Sequence, residues 1–340
     1  MSSDDSAVLA HGLVKRFGDF TAVDGIDLEV RTGEVFGVLG PNGAGKTTML
    51  NMLATLLPID EGSASIFGVD VAKNPHMIRQ LVGVTGQYAS VDENMTGDEN
   101  LRLFGMLLGL SSKQARTTAS ELLERFGLEE AADRQIKNFS GGMRRRLDLA
   151  ASLISRPPLI FLDEPTTGLD PRTRGQMWDT IRDLVKEGAT ILLTTQYLDE
   201  ADQLADRIAV IDHGLKVAEG TSVDLKSQVG NSTLYFRLAD KELVPQGAAV
   251  VEAVLGETPQ ITPEAAGISI ALPDPNRAAD VLIGLREQNL EITAAEVRQP
   301  TLDEVFMVLT GKPTDSGDGD EGDDAREVDR SDSQGGATRE

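Results

Sequence analysis

Short apolar runs alternate with amphipathic segments over the first two thirds of the chain. Apolar runs of this length are typical of strands buried on both faces, and the segments between them have helical spacing. The predicted strands are residues 35–39, 82–85, 159–162, 190–195, 208–211 and 215–218, and the helices among them are residues 49–57, 141–155, 173–187 and 199–205. The alternation predicts an α/β domain with a mostly parallel sheet and helices on both faces.

Two segments interrupt this alternation. Near the N-terminus, residues 8–14 predict a short edge strand, residues 15–20 a turn and residues 26–30 a second strand. Between residues 91 and 138 there is no strand pattern. A capping-box sequence at residue 96 begins one predicted helix there, and residues 112–126 form another. We therefore predict a helical insertion at about residues 91–138.

A second unit is predicted after Gly230. Three strand patterns (residues 233–238, 268–272 and 290–297) and one helical pattern (residues 277–287) indicate a small α+β domain over residues 230–311. A capping box at Thr301 begins a last helix, whose apolar stripe predicts core packing, with docking onto a partner as the alternative. Asp, Glu, Gly and Ser dominate residues 312–340, which predicts a disordered acidic tail.

Composition excludes some classes of protein. The 340 residues carry a net charge of −23 and no cysteine. Such acidity argues against a protein that coats nucleic acid, because phosphate backbones would be repelled. No apolar run approaches the roughly 18 to 20 residues of a membrane helix. The acidic N-terminus also lacks the basic-then-apolar layout of a secretion signal.

The candidate chemistry begins directly after the first buried strand. The residues there match the phosphate-binding loop pattern; they are Gly40, Pro41, Asn42, Gly43, Ala44, Gly45, Lys46, Thr47 and Thr48. Glycines let backbone N–H groups turn toward one anion, and the N-terminus of the following helix adds its dipole. Lys46 would reach the outer phosphates of a nucleotide, and Thr47 would offer its hydroxyl to Mg²⁺. The alternative is a glycine-rich turn with a chance lysine.

Two further motifs narrow the function. Asp163 and Glu164 end an apolar strand, where Asp163 could hold Mg²⁺ and Glu164 could act as general base for an attacking water. The alternative is a pair of solvated acids. Ser140, Gly141 and Gly142 open a helix and form a second anion site. Two chains placed head to tail would use both sites, each supplying its Ser140–Gly142 turn to the other's nucleotide.

In this order, the motifs resemble the nucleotide-binding subunit of an ATP-binding cassette (ABC) transporter. The resemblance implies a P-loop cassette over residues 1–229, with an antiparallel edge subdomain, followed by the small C-terminal domain. By resemblance, Phe17 stacks on adenine, Gln87 contacts Mg²⁺ and senses the membrane subunit, and Asp170 couples the two sites of the dimer.

Two positions depart from the family pattern. Met143 stands where a glutamine follows the glycines, and Gln196 stands at the switch-histidine position. A glutamine amide can donate one hydrogen bond to a phosphate but cannot carry a positive charge. We expect Gln196 to keep the phosphate contact and hydrolysis to rely on Glu164. Arg144, Arg145 and Arg146 follow on the same helix, and we favour a solvated face over a contact with the phosphate site or an acidic neighbour.

These departures, together with the closing segment at residues 302–306, resemble the daunorubicin-resistance type of exporter ATPase. The resemblance implies ATP and Mg²⁺ as ligands, a homodimer, and a separate membrane permease that holds the subunit at the cytoplasmic face of the cell membrane. The implied cargo is a drug or hydrophobic natural product. A lipid or polyketide exporter, an importer ATPase, and a soluble non-transport cassette protein remain alternatives.

Overall fold

A computed structural model describes residues 6–85, 91–228, 230, 232–262 and 266–311. The predicted acidic tail and Gln87 lie outside these residues. The strands are β1 Ser6–Phe17, β2 Phe20–Arg31, β3 Val35–Leu39, β4 Glu61–Ile66, β5 Val69–Asp70, β6 Val82–Thr85, β7 Leu159–Asp163, β8 Thr190–Thr195, β9 Arg207–Asp212, β10 Leu215–Gly220, β11 Ser232–Leu238, β12 Gln260–Thr262, β13 Gly267–Leu272 and β14 Ile292–Arg298.

Helices alternate with these strands. They are α1 Lys46–Leu53, α2 Pro75–Leu81, α3 Gly97–Leu107, α4 Ser112–Arg125, α5 Gly141–Ser152, α6 Pro171–Lys186, α7 Leu198–Leu204, α8 Ser222–Ser227, α9 Val244–Leu255, α10 Arg277–Glu287 and α11 Leu302–Thr310. Helices α3 and α11 begin with the capping boxes that their sequences predict, and α4 begins with a capping box of Ser111 and Gln114 that was not predicted. Helix α1 begins at Lys46, inside the phosphate-loop motif, and therefore starts earlier than predicted.

The central sheet has the order β10-β9-β3-β8-β7-β6. Strands β3, β6, β7, β8 and β9 are parallel to their neighbours, and only the pairing of β10 with β9 is antiparallel. Both faces of β3, β7 and β8 are buried, which explains their continuous apolar sequences. The predicted mostly parallel sheet is confirmed. Its order places the carboxyl ends of β3, β8 and β7 side by side.

A second sheet, with the order β2-β1-β4-β5, is antiparallel. The prediction of a short edge strand at residues 8–14 is wrong, because β1 runs to Phe17 and lies between β2 and β4. The predicted turn at residues 15–20 is correspondingly reduced to Gly18 and Asp19. The basic residues 15 and 16 suggested a turn, but their charges are paired across the sheet. Lys15 Nζ donates to Asp60 Oδ1 at 2.7 Å, and Arg16 pairs with Glu61.

The third sheet, β12-β13-β11-β14, belongs to the C-terminal unit, and α9 and α10 share its apolar core. Helix α9 was not predicted from the sequence, because Pro245 and Gly247 weaken its helical pattern. The packing leaves little room at the glycine: a Cβ at Gly247 would lie 2.8 Å from a methyl carbon of Leu238, and that side chain would have to shift. Close contact between α9 and β11 thus explains an irregular helical sequence.

Helix α11 ends the described chain by packing on the first unit. Leu302, Val305 and Phe306 join a buried cluster with residues of β3, β9, α7 and α8. The apolar stripe of this helix is therefore core packing, as predicted, and the core belongs to the central-sheet unit rather than to the third sheet. The C-terminal segment returns to the unit that carries the phosphate loop.

Replacing Phe306 by alanine should destabilise the chain by about 3 kcal/mol, because a nearly inaccessible aromatic side chain would leave a cavity in this cluster. The matched control is Met307→Ala, one residue along the same helix, where half of the side chain is exposed. Urea unfolding of both variants measures the difference. Equal, small changes in the two free energies of unfolding would contradict the docking of α11.

Candidate active site

The phosphate loop connects β3 to α1 and is shaped by two glycines that admit no side chain. A Cβ at Gly40 would lie 2.2 Å from the carbonyl oxygen of Ile211, and a Cβ at Gly45 would lie 2.2 Å from that of Ala22. Gly45 also has φ +102°, in the left-handed region. The first intrahelical bond of α1 runs from Met49 N–H to Gly45 O, so the N–H groups of the first turn are available to an anion.

Lys46 lies within this loop and is 4% exposed. Its Nζ donates to the carbonyl oxygens of Gly40 (2.8 Å) and Pro41 (3.0 Å), and it lies 3.5 Å from Glu164 Oε1. Burial lowers the pKa of Lys46, and the nearby carboxylate of Glu164 opposes that effect. The ammonium group thus sits between the phosphate loop and the candidate base.

A cavity of about 260 Å³ opens over the loop. It is lined by the loop together with Glu164 and three residues of the antiparallel sheet, Phe17, Phe20 and Ala22. Phe17 is 48% exposed and Phe20 is 62% exposed. Exposed aromatic rings beside a phosphate site are suited to stacking on a base. The resemblance predicted this role for Phe17; Phe20 lines the same cavity and was not predicted.

Asp163 lies at the carboxyl end of β7, opposite the loop. Its Oδ1 accepts from Thr47 Oγ1 at 3.1 Å and from Thr194 Oγ1 at 2.5 Å. Carboxylate and hydroxyl oxygens are the ligands that Mg²⁺ prefers, and it is commonly held by one carboxylate together with substrate phosphates. The Thr47 and Asp163 oxygens at the mouth of the phosphate loop therefore fit Mg²⁺. Thr194 is a supporting residue that the sequence analysis did not identify.

Glu164 is the next residue, 7% exposed, and both of its carboxylate oxygens have neighbours. Oε2 accepts from Thr167 Oγ1 at 3.2 Å, and Oε1 faces Lys46. Its φ is +49°, a left-handed conformation that costs a non-glycine residue about 1 kcal/mol or more. This strained turn points the carboxylate into the cavity instead of continuing the strand.

Gln196 follows the end of β8, which lies between the strands that lead to the phosphate loop and to Glu164. Its side chain is half-buried. The neighbouring Thr195 Oγ1 accepts from Tyr197 N–H at 2.9 Å, which turns the chain after the strand. The position of Gln196 at the end of this central strand is therefore compatible with the predicted contact to the terminal phosphate.

The Ser140–Gly142 turn lies apart from this cavity, at the exposed N-terminus of α5. Ser140 Oγ accepts from Met143 N–H at 3.2 Å. A Cβ at Gly142 would lie 2.8 Å from Thr173 Cγ2, so α5 begins close against α6. Asp170 caps α6 through the amide and hydroxyl of Thr173, which lower the pKa of Asp170. The structure thus brings Asp170 beside the Ser140–Gly142 turn and leaves both outside the cavity lining.

The solvated face favoured for the three arginines of α5 is wrong. Arg144 pairs with Glu93 at 2.7 Å, and Arg146 donates to the carbonyl oxygen of Phe126 at 2.8 Å. Arg145 donates to backbone carbonyls around Glu164. Consecutive charges indicated solvent exposure, but each long side chain reaches a different neighbouring segment. Of the open alternatives, contact with an acidic neighbour is confirmed for Arg144.

Comparison with known proteins agrees with this geometry. The family model "ABC transporter" matches residues 23–167, and the model "ATP-binding protein DrrA1-3-like, C-terminal domain" matches residues 220–310. The daunorubicin/doxorubicin resistance ATP-binding protein DrrA of Streptomyces peucetius is 52% identical over 91% of this chain and 94% of that protein. The doxorubicin resistance ATP-binding protein DrrA of Mycobacterium tuberculosis is 44% identical over 93% and 97%.

Among solved structures, the ATP-binding cassette MJ0796, a dimer in a post-hydrolysis state bound to ADP and Pi, covers 63% of this chain and 98% of its own. The TM-score is 0.59 and the identity 26%. The solved cassette matches the nucleotide-binding fold, and the two relatives extend the likeness through the C-terminal unit. The chain therefore belongs to the ABC transporter family, as an ATP-hydrolysing subunit related to the daunorubicin/doxorubicin-resistance ATP-binding proteins.

Proposed function

We propose that this chain drives the export of an anthracycline-like drug or a related hydrophobic natural product through a separate membrane permease. The observation that carries the proposal is the 52% identity to a daunorubicin/doxorubicin resistance protein over both units of the chain. No helix among residues 6–85, 91–228, 232–262 and 266–311 is long and apolar enough to cross a bilayer. In this proposal the permease forms the path across the membrane, and this chain binds the permease at the cytoplasmic face.

The working unit in this proposal is a head-to-tail homodimer with two composite ATP sites. Each site takes the phosphate loop, Asp163 and Glu164 from one copy and the Ser140–Gly142 turn from the other. The separation of that turn from the loop's cavity within one chain supports the arrangement. Asp170, next to the turn, lies where contacts between the two copies would form.

Within each site, Lys46 and the first-turn N–H groups of α1 bind the outer phosphates, and Phe17 with Phe20 stacks on the base. Glu164 accepts the proton of the attacking water, and Gln196 donates a hydrogen bond to the terminal phosphate. Thr47 and Asp163 would hold Mg²⁺, with Gln87 as the predicted further contact. When bound, Mg²⁺ neutralises charge on the phosphate oxygens. We further propose the division into residues 1–229, 230–311 and an acidic tail over 312–340.

Transport by inside-out vesicles tests the proposal. Vesicles carrying this chain and the permease encoded beside it should take up daunorubicin when ATP is supplied, and vesicles carrying Glu164→Gln should not. The chain should also co-purify with the permease. ATP hydrolysis that is stimulated by a lipid or polyketide, with no daunorubicin uptake, would overturn the drug cargo. Failure to co-purify with any membrane protein, with ATP hydrolysis that no membrane partner changes, would overturn the transport role.

A further inference from the structure

Arg145 joins the helix of the Ser140–Gly142 turn to the backbone that carries Glu164. Its Nη2 donates to the carbonyl oxygen of Glu164 at 2.9 Å and to that of Asp163, and its Nε donates to the carbonyl oxygen of Pro165 at 3.2 Å. One guanidinium group thus contacts three consecutive carbonyls. A planar group with donors in a fixed fork is suited to such a set, whereas an ammonium group is a single point donor.

These carbonyls flank the left-handed turn at Glu164. A positive φ at a glutamate persists only where the surrounding structure holds it. The Glu164 N–H donates to Thr194 O at 3.0 Å, which fixes the side of the turn facing β8. On the other side of the turn, Arg145 of α5 donates to the carbonyl oxygens of Asp163, Glu164 and Pro165. The direction of the Glu164 side chain therefore depends on a contact made by a different helix.

The surroundings of Arg145 are strongly acidic. Asp148, one turn later on α5, attracts the guanidinium group, as do Asp163, Glu200 and Glu164. Burial lowers the pKa of Arg145, and these carboxylates oppose that effect. The side chain is half-buried, so its charge is only partly exposed to water. A neutral side chain at this position would remove these hydrogen-bond donors from the three carbonyl oxygens. It would also remove the positive charge that the four carboxylates face.

We propose that Arg145 is a positioning residue for ATP hydrolysis: it sets the backbone of Glu164 and ties it to the helix that begins with Ser140–Gly142. The inference rests on the proposed role of Glu164 as the base. Ser140 and Arg145 are separated by about 7.5 Å along the axis of α5. A displacement of this helix, when its N-terminus binds the second copy's nucleotide, also displaces the donors that hold Glu164. Each copy thus links one composite site to the other.

The test replaces Arg145 by glutamine in the full-length chain and measures steady-state ATP hydrolysis. We expect kcat to fall about 10- to 100-fold, because misplacement of a catalytic group by about 1 Å costs on this scale. The KM for ATP should change less than about 3-fold, since the phosphate loop is untouched. Arg145→Lys should recover part of kcat by restoring one charged donor. Arg144→Gln, on the same helix, removes the ion pair with Glu93 and a hydrogen bond to the carbonyl oxygen of Lys137, neither of which touches the Glu164 segment, and should keep wild-type kcat.

A double variant separates positioning from a general loss of structure. Adding Arg145→Gln to Glu164→Gln should lower the residual rate by less than about 2-fold, because a positioning residue acts only through its target. A further loss as large as in the wild-type background would overturn the proposal. So would an unchanged kcat in Arg145→Gln, or a raised KM with unchanged kcat.

The same measurements keep the two ideas apart. If Glu164→Gln retains turnover, the assignment of the base fails, and a loss of kcat in Arg145→Gln then cannot be assigned to Glu164. If Glu164→Gln is inactive and Arg145→Gln is fully active, only the positioning role fails. Should Arg145→Gln not fold, Arg145→Lys carries the test: an intermediate kcat supports the proposal, and a wild-type kcat overturns it.

Discussion

Replacing Glu164 by glutamine is expected to lower ATP turnover by about a thousandfold while leaving ATP binding intact. General-base catalysis contributes about 10² to 10⁴ in rate, and the amide cannot accept the proton of water at neutral pH. The substitution keeps the shape of a side chain that is 7% exposed, and its carbonyl oxygen can still accept from Thr167 Oγ1. The chemical step is lost, and the site remains folded.

ATP that binds but is not hydrolysed should accumulate as an ATP-bound dimer, which size-exclusion chromatography with bound-nucleotide analysis detects. Glu187→Gln is the matched control: it makes the same chemical change at an exposed residue whose partner is Arg125, at the far end of α6. Turnover near the wild-type rate in Glu164→Gln would show that another group takes the proton.

Strands and local motifs of the central unit were predictable because their determinants are local. Continuous apolar runs identify β3, β7 and β8, and the loop pattern identifies the turn that Gly40 and Gly45 require. Capping boxes identify α3 and α11 for the same reason: each uses residues only three positions apart. The apolar stripe of α11 was predicted to pack in a core. Which unit supplies that core depends on contacts with residues distant in sequence, so it was not predicted.

Features set by long-range pairing were not predictable. Lys15 pairs with Val23 in the β1–β2 ladder, and its ammonium group donates to Asp60, 45 positions later. Arg145 looked like part of a solvated face because its acceptors are backbone carbonyls, which no side-chain pattern reveals. Thr194 and Phe20 enter the site for a similar reason: the strand order and the β1–β2 turn carry them there.

Replacing Lys46 by alanine should abolish both ATP hydrolysis and ATP-dependent dimerisation. The ammonium group is the charged donor nearest the phosphate loop, and a hydrogen bond to a charged group contributes about 1.5 to 3 kcal/mol. Its loss predicts roughly 10- to 150-fold weaker ATP binding. In addition, Glu164 loses the neighbouring positive charge at 3.5 Å and repels the terminal phosphate of ATP more strongly. Both effects act before any chemical step.

Lys46→Ala and Glu164→Gln are therefore distinguished by whether an ATP-bound dimer forms, and not by the rate of ATP hydrolysis. Both variants lose hydrolysis, but only Glu164→Gln should form the ATP-bound dimer. Fluorescent ATP-analogue titration and sedimentation measure the two properties separately, with Lys186→Ala as an exposed lysine control on α6. An ATP-driven dimer of Lys46→Ala would contradict a composite site, because the Ser140–Gly142 turn of one copy can close only on a nucleotide that the other copy's loop already holds.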